Sequence, residues 1–144
     1  MLKVKITEKD AKTKKEMANS SRHSFRWIDL DNFQLTKKAG FIHTGAYQDF
    51  TLIVFDFDLS SELKGTNYII NNYNWFKKIG ETKPYLKVMT PSGGMHLYFI
   101  FKEPFEYMNK AKIPTFDPNV VCDIRGKNGI IFSPYTKFED EKFK

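Results

Sequence analysis

The sequence has a single cysteine, Cys122, and no apolar run near the roughly 18 residues that a membrane-spanning helix needs. One thiol excludes an internal disulfide framework and any zinc site built from several cysteines. A metal site in this chain would therefore have to use carboxylates and imidazoles. Residues 1–5 also lack the apolar stretch of a signal peptide. These absences predict a soluble, intracellular protein without a membrane partner.

Proline and glycine are also scarce, at 6 and 8 residues, whereas phenylalanine alone contributes 14. With 41% hydrophobic residues, the chain has enough apolar material for a packed interior and does not have the composition of a disordered tail. A length of 144 residues suits one domain, because two separate cores would each be small. We therefore expect a single globular domain.

Acidic residues number 17 against 23 basic ones, which gives a net charge of +6 and a pI near 9.3. This balance suits a polyanionic partner such as a nucleic acid. Only three of the basic residues are arginine, and the chain is rich in Asn, Ile, Phe and Tyr. The lysine excess is therefore equally compatible with an AT-rich genome, and charge alone does not identify the partner.

By composition the chain divides into three regions. Residues 1–24 are polar and lysine-rich, and the window 7–20 offers only Ala11, Met17 and Ala18 for burial. We interpret this region as a loosely held arm or a surface helix. Residues 25–136 are predicted to form the folded core, and residues 137–144 a charged, frayed tail.

Within the core the patterning predicts three pairs of strands, a helix after the first pair and an irregular segment, residues 103–119, before the last. The predicted strands are 40–44, 50–57, 85–90, 95–102, 120–125 and 129–133. A short helix is predicted in residues 25–35, and a longer one from Thr66 to Gly80. The longer helix has apolar positions at helical spacing: Ile69, Tyr73, Phe76 and Ile79. This order predicts an α+β fold with helices on one side of a sheet.

Two acids close an otherwise apolar strand at residues 53–58 (Ile-Val-Phe-Asp-Phe-Asp). Alternation along a strand places Asp56 and Asp58 on one face, about 7 Å apart. Neighbouring carboxylates repel each other and are costly to bury, so a cation between them stabilises the pair. A divalent metal is the natural candidate for that cation. In the other interpretation the strand ends at Phe55, and the acids are solvated or one pairs with Lys64.

A glycine turn precedes a strand with a histidine at residues 90–99 (Thr-Pro-Ser-Gly-Gly-Met-His-Leu-Tyr-Phe). The adjacent residues Gly93 and Gly94 allow a sharp turn after Ser92, and the backbone N–H groups of such a turn can approach a phosphate closely. His96 follows on the polar face of the next strand. The pattern is typical of a phosphate-binding turn, but also of an ordinary glycine hairpin with a surface histidine.

A third apolar strand, at residues 121–126, is interrupted by one acid. Asp123 and Arg125 share a face, opposite Cys122 and Ile124. Taken alone, the two are also compatible with a simple cross-strand ion pair. Together with the other motifs, however, three strands place acids or a histidine near a strand end or a glycine turn. Three carboxylates and a phosphate-binding turn are the components of a two-metal phosphoryl-transfer site.

Taken in order, residues 55–58, 92–99 and 122–126 resemble motifs I, II and III of the archaeo-eukaryotic primase superfamily. The resemblance is closest to the primase-polymerase domains of plasmid and viral replication proteins. Segments before the first motif and after the third also resemble that domain, so the resemblance covers about residues 38–136. It implies an α+β catalytic core with an RRM-like, mainly antiparallel sheet and helices on one side.

The resemblance implies that Asp56, Asp58 and Asp123 hold divalent metals and form the catalytic centre. Hard carboxylate oxygens suit Mg²⁺ or Mn²⁺ as cofactors. In the implied reaction a 3′-hydroxyl attacks the α-phosphate of a nucleoside triphosphate. One metal lowers the pKa of that hydroxyl, and the other neutralises the triphosphate and the leaving pyrophosphate.

The resemblance also implies a nucleotide-binding role for the second motif. His96 would contact the phosphates of the incoming nucleotide, beside the turn formed by Ser92, Gly93 and Gly94. A serine often stands at the position of Gly94 in the family, so Ser92 is the candidate for a hydroxyl contact here. Arg125 would bind phosphate or brace the neighbouring acid.

The implied partners are a single-stranded DNA template, a primer and nucleoside triphosphates. Relatives often carry a helical domain and a superfamily 3 helicase after this domain. The resemblance is therefore compatible with a C-terminal or separate helicase as a partner, and with a chain excised from a larger primase-helicase as well as with a separate protein. It implies a location in the host cytoplasm or at a viral replication site. Since relatives use the helical domain to start primers, we expect this chain to extend a supplied primer far better than it begins one.

Two other functions fit parts of the sequence. Residues 56–60 and 88–90 approach two motifs of haloacid-dehalogenase-type phosphatases, in which Asp56 would be a covalent nucleophile. The late paired-acid motif of that family is absent. The other alternative is a non-catalytic nucleic-acid-binding replication module whose acids form structural pairs. Metal titration separates this module from a metal-dependent enzyme.

Overall fold

The structure is a computed structural model, and it describes residues 2–32, 38–72, 84–115, 117–134 and 136. Within those residues the chain forms ten strands and two short helices. The strands are β1 (Lys3–Lys9), β2 (Arg26–Asp29), β3 (Ala39–His43), β4 (Gly45–Ala46), β5 (Thr51–Leu59), β6 (Leu86–Met89), β7 (Met95–Phe101), β8 (Lys110–Pro114), β9 (Val120–Arg125) and β10 (Ile130–Phe132). The helices are α1 (Lys14–Ala18) and α2 (Tyr68–Asn71). In these described ranges no helix has both the length and the apolar character to span a membrane.

The described strands form two antiparallel sheets. Sheet A has the order β10-β3-β1-β2, and sheet B has the order β6-β7-β5-β9-β8 with β4 paired to β5. One residue, Thr44, separates β3 from β4, so a nearly continuous segment passes from sheet A to sheet B. The expectation of a mainly antiparallel sheet is confirmed, and few helices accompany it among the described residues. Where one sheet covered by helices was expected, however, a second sheet provides the cover on one side.

The N-terminal region differs most from its expected structure, because β1 lies between β2 and β3 inside sheet A. The interpretation of residues 1–24 as a loosely held arm is therefore wrong for β1. Val4 and Ile6 are fully buried in the core that the two sheets share. Only these two apolar residues alternate with lysines, too few to distinguish a strand from a polar segment. Further along, a short helix does form, and Met17 of α1 packs against Phe41.

Residues 26–29 were expected in a short helix but form β2. Pairing with β1 decides the local structure there, since tertiary context readily overrides the spacing of a few apolar residues. The register places Trp27 opposite Lys5. The end of the predicted helix, including Phe33 and Leu35, lies outside the described residues.

Residues 110–114 were expected to be irregular but form β8 at the edge of sheet B. Edge strands carry lysines and irregular registers that protect them from pairing, and these features hide the alternating pattern. Here the register shifts between Lys110 and Ile113, and Lys112 has a φ of 51°.

The helix predicted from Thr66 to Gly80 is described only at α2, so its other apolar positions lie outside the described residues. The six predicted strands are confirmed, with ends that shift by at most two residues.

Sheet B is covered on both faces. One face of β5 packs on Val4 and Ile6 of sheet A. On the opposite face, Phe57 and Leu59 pack with Ile69 of α2. Burial of each such side chain contributes roughly 1.5–3 kcal/mol, so these contacts fix β5 firmly at the centre of the molecule. Polar side chains on this strand are therefore held in defined positions.

Candidate active site

Three of the sequence-predicted site residues lie in one row across sheet B. Asp56 on β5 is the register partner of His96 on β7 and of Asp123 on β9. Register partners on adjacent strands point to the same face, with Cβ atoms about 4.5–5.5 Å apart. The topology therefore brings together two acids and a histidine that are far apart in the chain.

The face of β5 that packs on sheet A changes from apolar to acidic along the strand. Leu52 and Val54 are fully buried there, and Asp56 and Asp58 follow on the same face. The side chain of Asp56 is 23% exposed and that of Asp58 is 45% exposed. The strand continues to Leu59, so the alternative in which it ends before the acids is wrong. The acids lie where the apolar cover ends.

A guanidinium nitrogen contacts both carboxylates of the row. Nη2 of Arg125 is 3.0 Å from Oδ2 of Asp123 and 3.9 Å from Oδ2 of Asp56. The other oxygen of Asp123 accepts a hydrogen bond from the backbone N–H of Lys112 at 2.7 Å. Oδ1 of Asp56 is 3.3 Å from Nε2 of His96. Because both carboxylates contact one nitrogen, they are close enough to share a cation.

Asp58 has a different partner. Its carboxylate is 3.2 Å from Nζ of Lys64 and accepts a hydrogen bond from the backbone N–H of Leu59 at 2.9 Å. An ion pair with Lys64 is one of the alternatives that the sequence left open. Both charged side chains are nearly half exposed, so the ion pair contributes little to stability. Replacement of Lys64 by another cation therefore costs little.

Two nitrogen atoms of the site are buried without a hydrogen-bond partner among the described residues: Nδ1 of His96 and Nε of Arg125. A buried polar group in this condition costs about 1–3 kcal/mol. His96 is only 7% exposed, so the interpretation of this residue as a surface histidine is wrong. Unpartnered buried groups are uncommon, and a ligand or ordered water usually completes them.

The glycine turn between β6 and β7 is required by close packing. Gly93 has a φ of 85°, and a Cβ on this residue would lie 2.2 Å from the carbonyl oxygen of Thr66. A Cβ on Gly94 would lie 2.4 Å from the carbonyl oxygen of Phe57. Close packing against the loop before α2 and against β5 therefore explains why both positions are glycine, and a ligand is not needed to explain them.

Gly94→Ala is expected to lower the free energy of unfolding by about 1–3 kcal/mol, because the added methyl group overlaps a carbonyl of the central strand. Chemical denaturation measures the change. Ser92→Ala in the same turn is the matched control and should change stability by less than about 0.5 kcal/mol. Equal stability of the two variants would show that the turn can move away from β5.

Hydroxyl groups of the turn, in contrast, are available to a ligand. The N–H of Gly93 donates to the carbonyl of Thr90 inside the turn, so this N–H is not directed at a ligand. The hydroxyls of Thr90 and Ser92 lie 3.2 Å apart, and both residues line a pocket. The prediction of a hydroxyl contact from Ser92 remains a prediction, and Thr90 joins it as a second candidate.

The pocket has a volume of about 170 Å³ and lies beside the acidic row. One wall comes from sheet B and the glycine turn, and the residues that carry its polar groups are Asp56, Asp58, Thr90, Ser92 and His96. The other wall comes from α1 and from the segment at and after β10, and its residues are Lys14, Phe132, Ser133, Pro134 and Thr136. Arg125 and Asp123 do not line the pocket; Arg125 contacts Asp56, and Asp123 is connected to the site through Arg125.

Sequence reasoning missed the polar part of the second wall. Lys14 falls in the region interpreted as an arm, and nothing marks it among many other lysines. The hydroxyls of Ser133 and Thr136 form a hydrogen bond of 2.7 Å, and each lies within hydrogen-bond distance of the carbonyl of Gly40. Only the resemblance of the segment after the third motif pointed to this part of the chain.

Cys122 does not have the properties of a nucleophile. It is the register partner of Phe57 and lies on the face opposite the acids. Burial, together with the negative charges of Asp56 and Asp123, raises the pKa of Cys122 to about 12. The thiol is therefore protonated at neutral pH, whereas the thiolate is the reactive form. The pocket and its acids remain the candidate for chemistry.

The three aspartates offer hard oxygen donors of the kind that Mg²⁺ and Mn²⁺ prefer. Within the described part of the chain, no three His, Cys, Asp or Glu side chains already surround a common metal position. The contacts explain this, because Arg125 lies between Asp56 and Asp123 while Lys64 holds Asp58. Arg125 is 34% exposed and Lys64 47% exposed. The donor types suit a divalent metal, but a metal at this position would have to displace both cations.

No family model, curated protein or solved structure matches this chain. Its function must therefore be argued from the geometry of the site and from the motifs.

Proposed function

We propose that this chain is the catalytic domain of a DNA primase or polymerase. It would transfer nucleotides from nucleoside triphosphates to a 3′-hydroxyl in a template-directed, metal-dependent reaction. The observation that carries the proposal is the row of His96, Asp56 and Asp123 on three adjacent strands, at the border of a pocket lined with hydroxyls and a lysine. A two-metal nucleotidyl transferase requires this convergence of acids beside a phosphate site.

In the proposed reaction Asp56, Asp58 and Asp123 hold Mg²⁺ or Mn²⁺. The bound metals supply charge neutralisation at the triphosphate and a lower pKa for the attacking hydroxyl. Before metal binds, Arg125 and Lys64 neutralise the acids and keep like charges stable on one face. With a metal in its place beside the acids, the guanidinium of Arg125 would be free to hold phosphate oxygens, for which its planar array of donors is suited.

The pocket is the proposed place of the triphosphate. Lys14 brings a positive charge to one wall, while Thr90 and Ser92 bring hydroxyl donors to the other. His96 connects the pocket to the acids, because its Nε2 faces Asp56 and its Nδ1 has no partner among the described residues. With both ring nitrogens protonated, this histidine can donate to the carboxylate and to a phosphate oxygen together.

Primer extension tests the proposed function. The full chain is mixed with a labelled primer annealed to a longer template, deoxynucleotides and either Mg²⁺ or Mn²⁺. We expect extension with metal and none with EDTA. Extension without metal, or metal-dependent release of phosphate with trapping of the protein by beryllofluoride, would contradict the proposal. The second result would instead indicate the covalent chemistry of an aspartyl phosphatase at Asp56.

His96→Ala is expected to raise the KM for nucleoside triphosphate by about 10- to 100-fold, because a hydrogen bond to a charged phosphate contributes about 1.5–3 kcal/mol. Affinity for a labelled single-stranded template should change less than twofold, since the imidazole faces the pocket. Steady-state extension and fluorescence anisotropy measure the two effects. His23→Ala, at an exposed residue, is the control. An equal loss of template affinity in His96→Ala would contradict this role.

A non-catalytic nucleic-acid-binding module is the second candidate function. The observation in its favour is that each of the three acids already has a basic partner within the chain. In such a module the ion pairs would be structural. Isothermal titration with Mn²⁺ decides between the candidates, because only the enzyme requires metal at Asp56, Asp58 and Asp123. Absence of binding in the presence of template, primer and nucleotide would favour the module.

A further inference from the structure

We propose that a cluster of aromatic rings on the outer face of sheet A binds the bases of single-stranded nucleic acid. The rings are those of Phe25, Trp27, His43 and Tyr47. Together with the ammonium group of Lys5 they form what we call the aromatic patch. It has no role in the proposed chemistry, and its binding of nucleic acid does not depend on that chemistry.

The two largest rings of the aromatic patch are open to solvent. Trp27 is 50% exposed and Phe25 is 41% exposed. The register pairs Trp27 with Lys5, on the face of sheet A that points away from sheet B. Helix α1 covers another part of that face, where Met17 packs against Phe41. Because Phe25 and Trp27 contact each other, they form a contiguous exposed apolar surface, which is the feature that marks a binding site.

The rings are held in a fixed arrangement. Phe25 and Trp27 meet edge to face with centroids 6.1 Å apart, and Trp27 and Tyr47 do so at 5.9 Å. Phe25 also lies 5.9 Å from the ring of His43. The hydroxyl of Tyr47 accepts a hydrogen bond from the backbone N–H of Lys5 and donates to the carbonyl of His43. Rings that are already ordered lose little conformational entropy when a ligand stacks on them.

Positive charge is interleaved with the rings. Nζ of Lys5 lies 4.6 Å from the ring centroid of Phe25 and 5.4 Å from that of Trp27. Lys3 shares this face of β1, two residues away. Burial lowers the pKa of His43, and the charges of Lys5 and Arg22 lower it further. The patch therefore combines neutral stacking surfaces with cations that can pair with phosphates.

This combination favours single-stranded nucleic acid over other ligands. Proteins that bind single strands without strong sequence preference use aromatic platforms for the bases and basic side chains for the backbone. An apolar protein partner would gain nothing from ammonium groups at the centre of the contact. The net charge of +6 also favours a polyanion.

The aromatic patch also adjoins the wall of the candidate active site. The ring of His43 lies 5.5 Å from that of Phe41. Phe41 is the register partner of Phe132, which lines the pocket. Phe41 is fully buried beneath Met17 of α1, so this helix stands between the patch and the pocket. Binding at the patch is therefore expected without any reaction at the acids.

Fluorescence anisotropy tests the inference with a labelled oligothymidylate of about 20 nucleotides, in EDTA and without nucleotide. Trp27→Ala is expected to weaken binding by about 5- to 150-fold, the effect of losing one stacked base. Trp27→Phe keeps an aromatic face and should retain most of the affinity. Lys5→Gln should reduce the slope of log K against log salt by about 0.7, the value for one contact to a single strand.

The matched control is a second pair of an aromatic ring and a lysine, Tyr107 and Lys110. Lys110 begins β8 of sheet B, and Tyr107 lies in the loop before β8. Lys110 lies 5.4 Å above the ring of Tyr107, a geometry close to that of Lys5 and Trp27. Tyr107→Ala and Lys110→Gln should leave the affinity unchanged within twofold. Binding by Trp27→Ala equal to the unsubstituted chain, or an equal loss in Tyr107→Ala, would overturn the inference.

A fluorescence measurement keeps the test valid if Trp27→Ala does not fold. Stacking of a base on Trp27 is expected to quench tryptophan emission when oligothymidylate is added, and Trp27→Phe should lose most of that quenching, with Trp75 as the remaining tryptophan. Unlabelled single strands should compete better than duplex DNA, because paired bases cannot stack on the patch. Quenching of undiminished size in Trp27→Phe, or equal competition by duplex, would contradict the proposal. These readouts use no metal, so a failure of the proposed catalysis leaves them interpretable.

Discussion

Asp56→Asn should abolish metal-dependent nucleotide incorporation, with a fall in kcat/KM of at least about 10³-fold. Asp56 is the central member of the row and contacts both His96 and Arg125. Its carboxylate is the donor that the proposed metal would share with Asp123. Metal ions contribute several kcal/mol of transition-state stabilisation, and each 1.36 kcal/mol corresponds to a tenfold change in rate. Primer extension with Mn²⁺ measures the loss.

The same assay on other acidic residues shows whether the loss of extension comes from the proposed metal site. Asp58→Asn and Asp123→Asn should show losses of similar size, whereas Asp10→Asn, at an exposed acid paired with Lys38, should extend normally. Asparagine keeps the shape of the side chain, so all four variants should stay folded by circular dichroism. Near-normal extension by the three site variants would exclude the metal site and favour the non-catalytic module.

Much of the candidate site could be predicted because the side-chain period of a strand is fixed. Alternation alone placed Asp56 and Asp58 on one face, and the register confirms that face. The row with His96 and Asp123 required one further fact, namely that β7 and β9 are the two neighbours of β5. Strand order is not encoded in local patterning, so in the sequence this step rested on the resemblance.

The basic side chains of the site could not be placed from the sequence. The position of Arg125 between two carboxylates depends on its rotamer and on the twist of the sheet. Lys14 lies on a five-residue helix whose one buried residue, Met17, gives no helical pattern. These residues become part of the site only through tertiary packing.

In the fold, apolar elements could be predicted from the sequence and polar elements could not. Strands with long apolar stretches, such as β5 and β7, were predicted with ends within two residues of the observed ones. In contrast, β1 and β8 were missed, since lysines occupy alternate positions on β1 and most of β8 is exposed. A polar strand is detectable only through its partners, because pairing rather than burial of a continuous apolar face keeps it extended.

Sheet A therefore has a structural importance that its composition hides. It covers the apolar part of sheet B and presents the aromatic patch on its outer face. The segment at its edge strand β10 also supplies residues to the far wall of the pocket. All three contributions depend on β1, which joins β2 to β3. The energetic contribution of β1 is thus the most informative property of the fold to measure.

Ile6→Ala is expected to lower the free energy of unfolding by about 2–5 kcal/mol, a large part of the 5–15 kcal/mol typical of a domain. Ile6 is fully buried between the two sheets, so truncation loses transfer free energy and leaves a cavity. Lys9→Ala, at an exposed position of the same strand, is the matched control and should change stability by less than about 0.5 kcal/mol. Urea denaturation followed by circular dichroism compares them. If residues 1–24 were a loosely held arm, both variants would unfold at the same urea concentration as the unsubstituted chain, and the assignment of β1 to the core would be wrong.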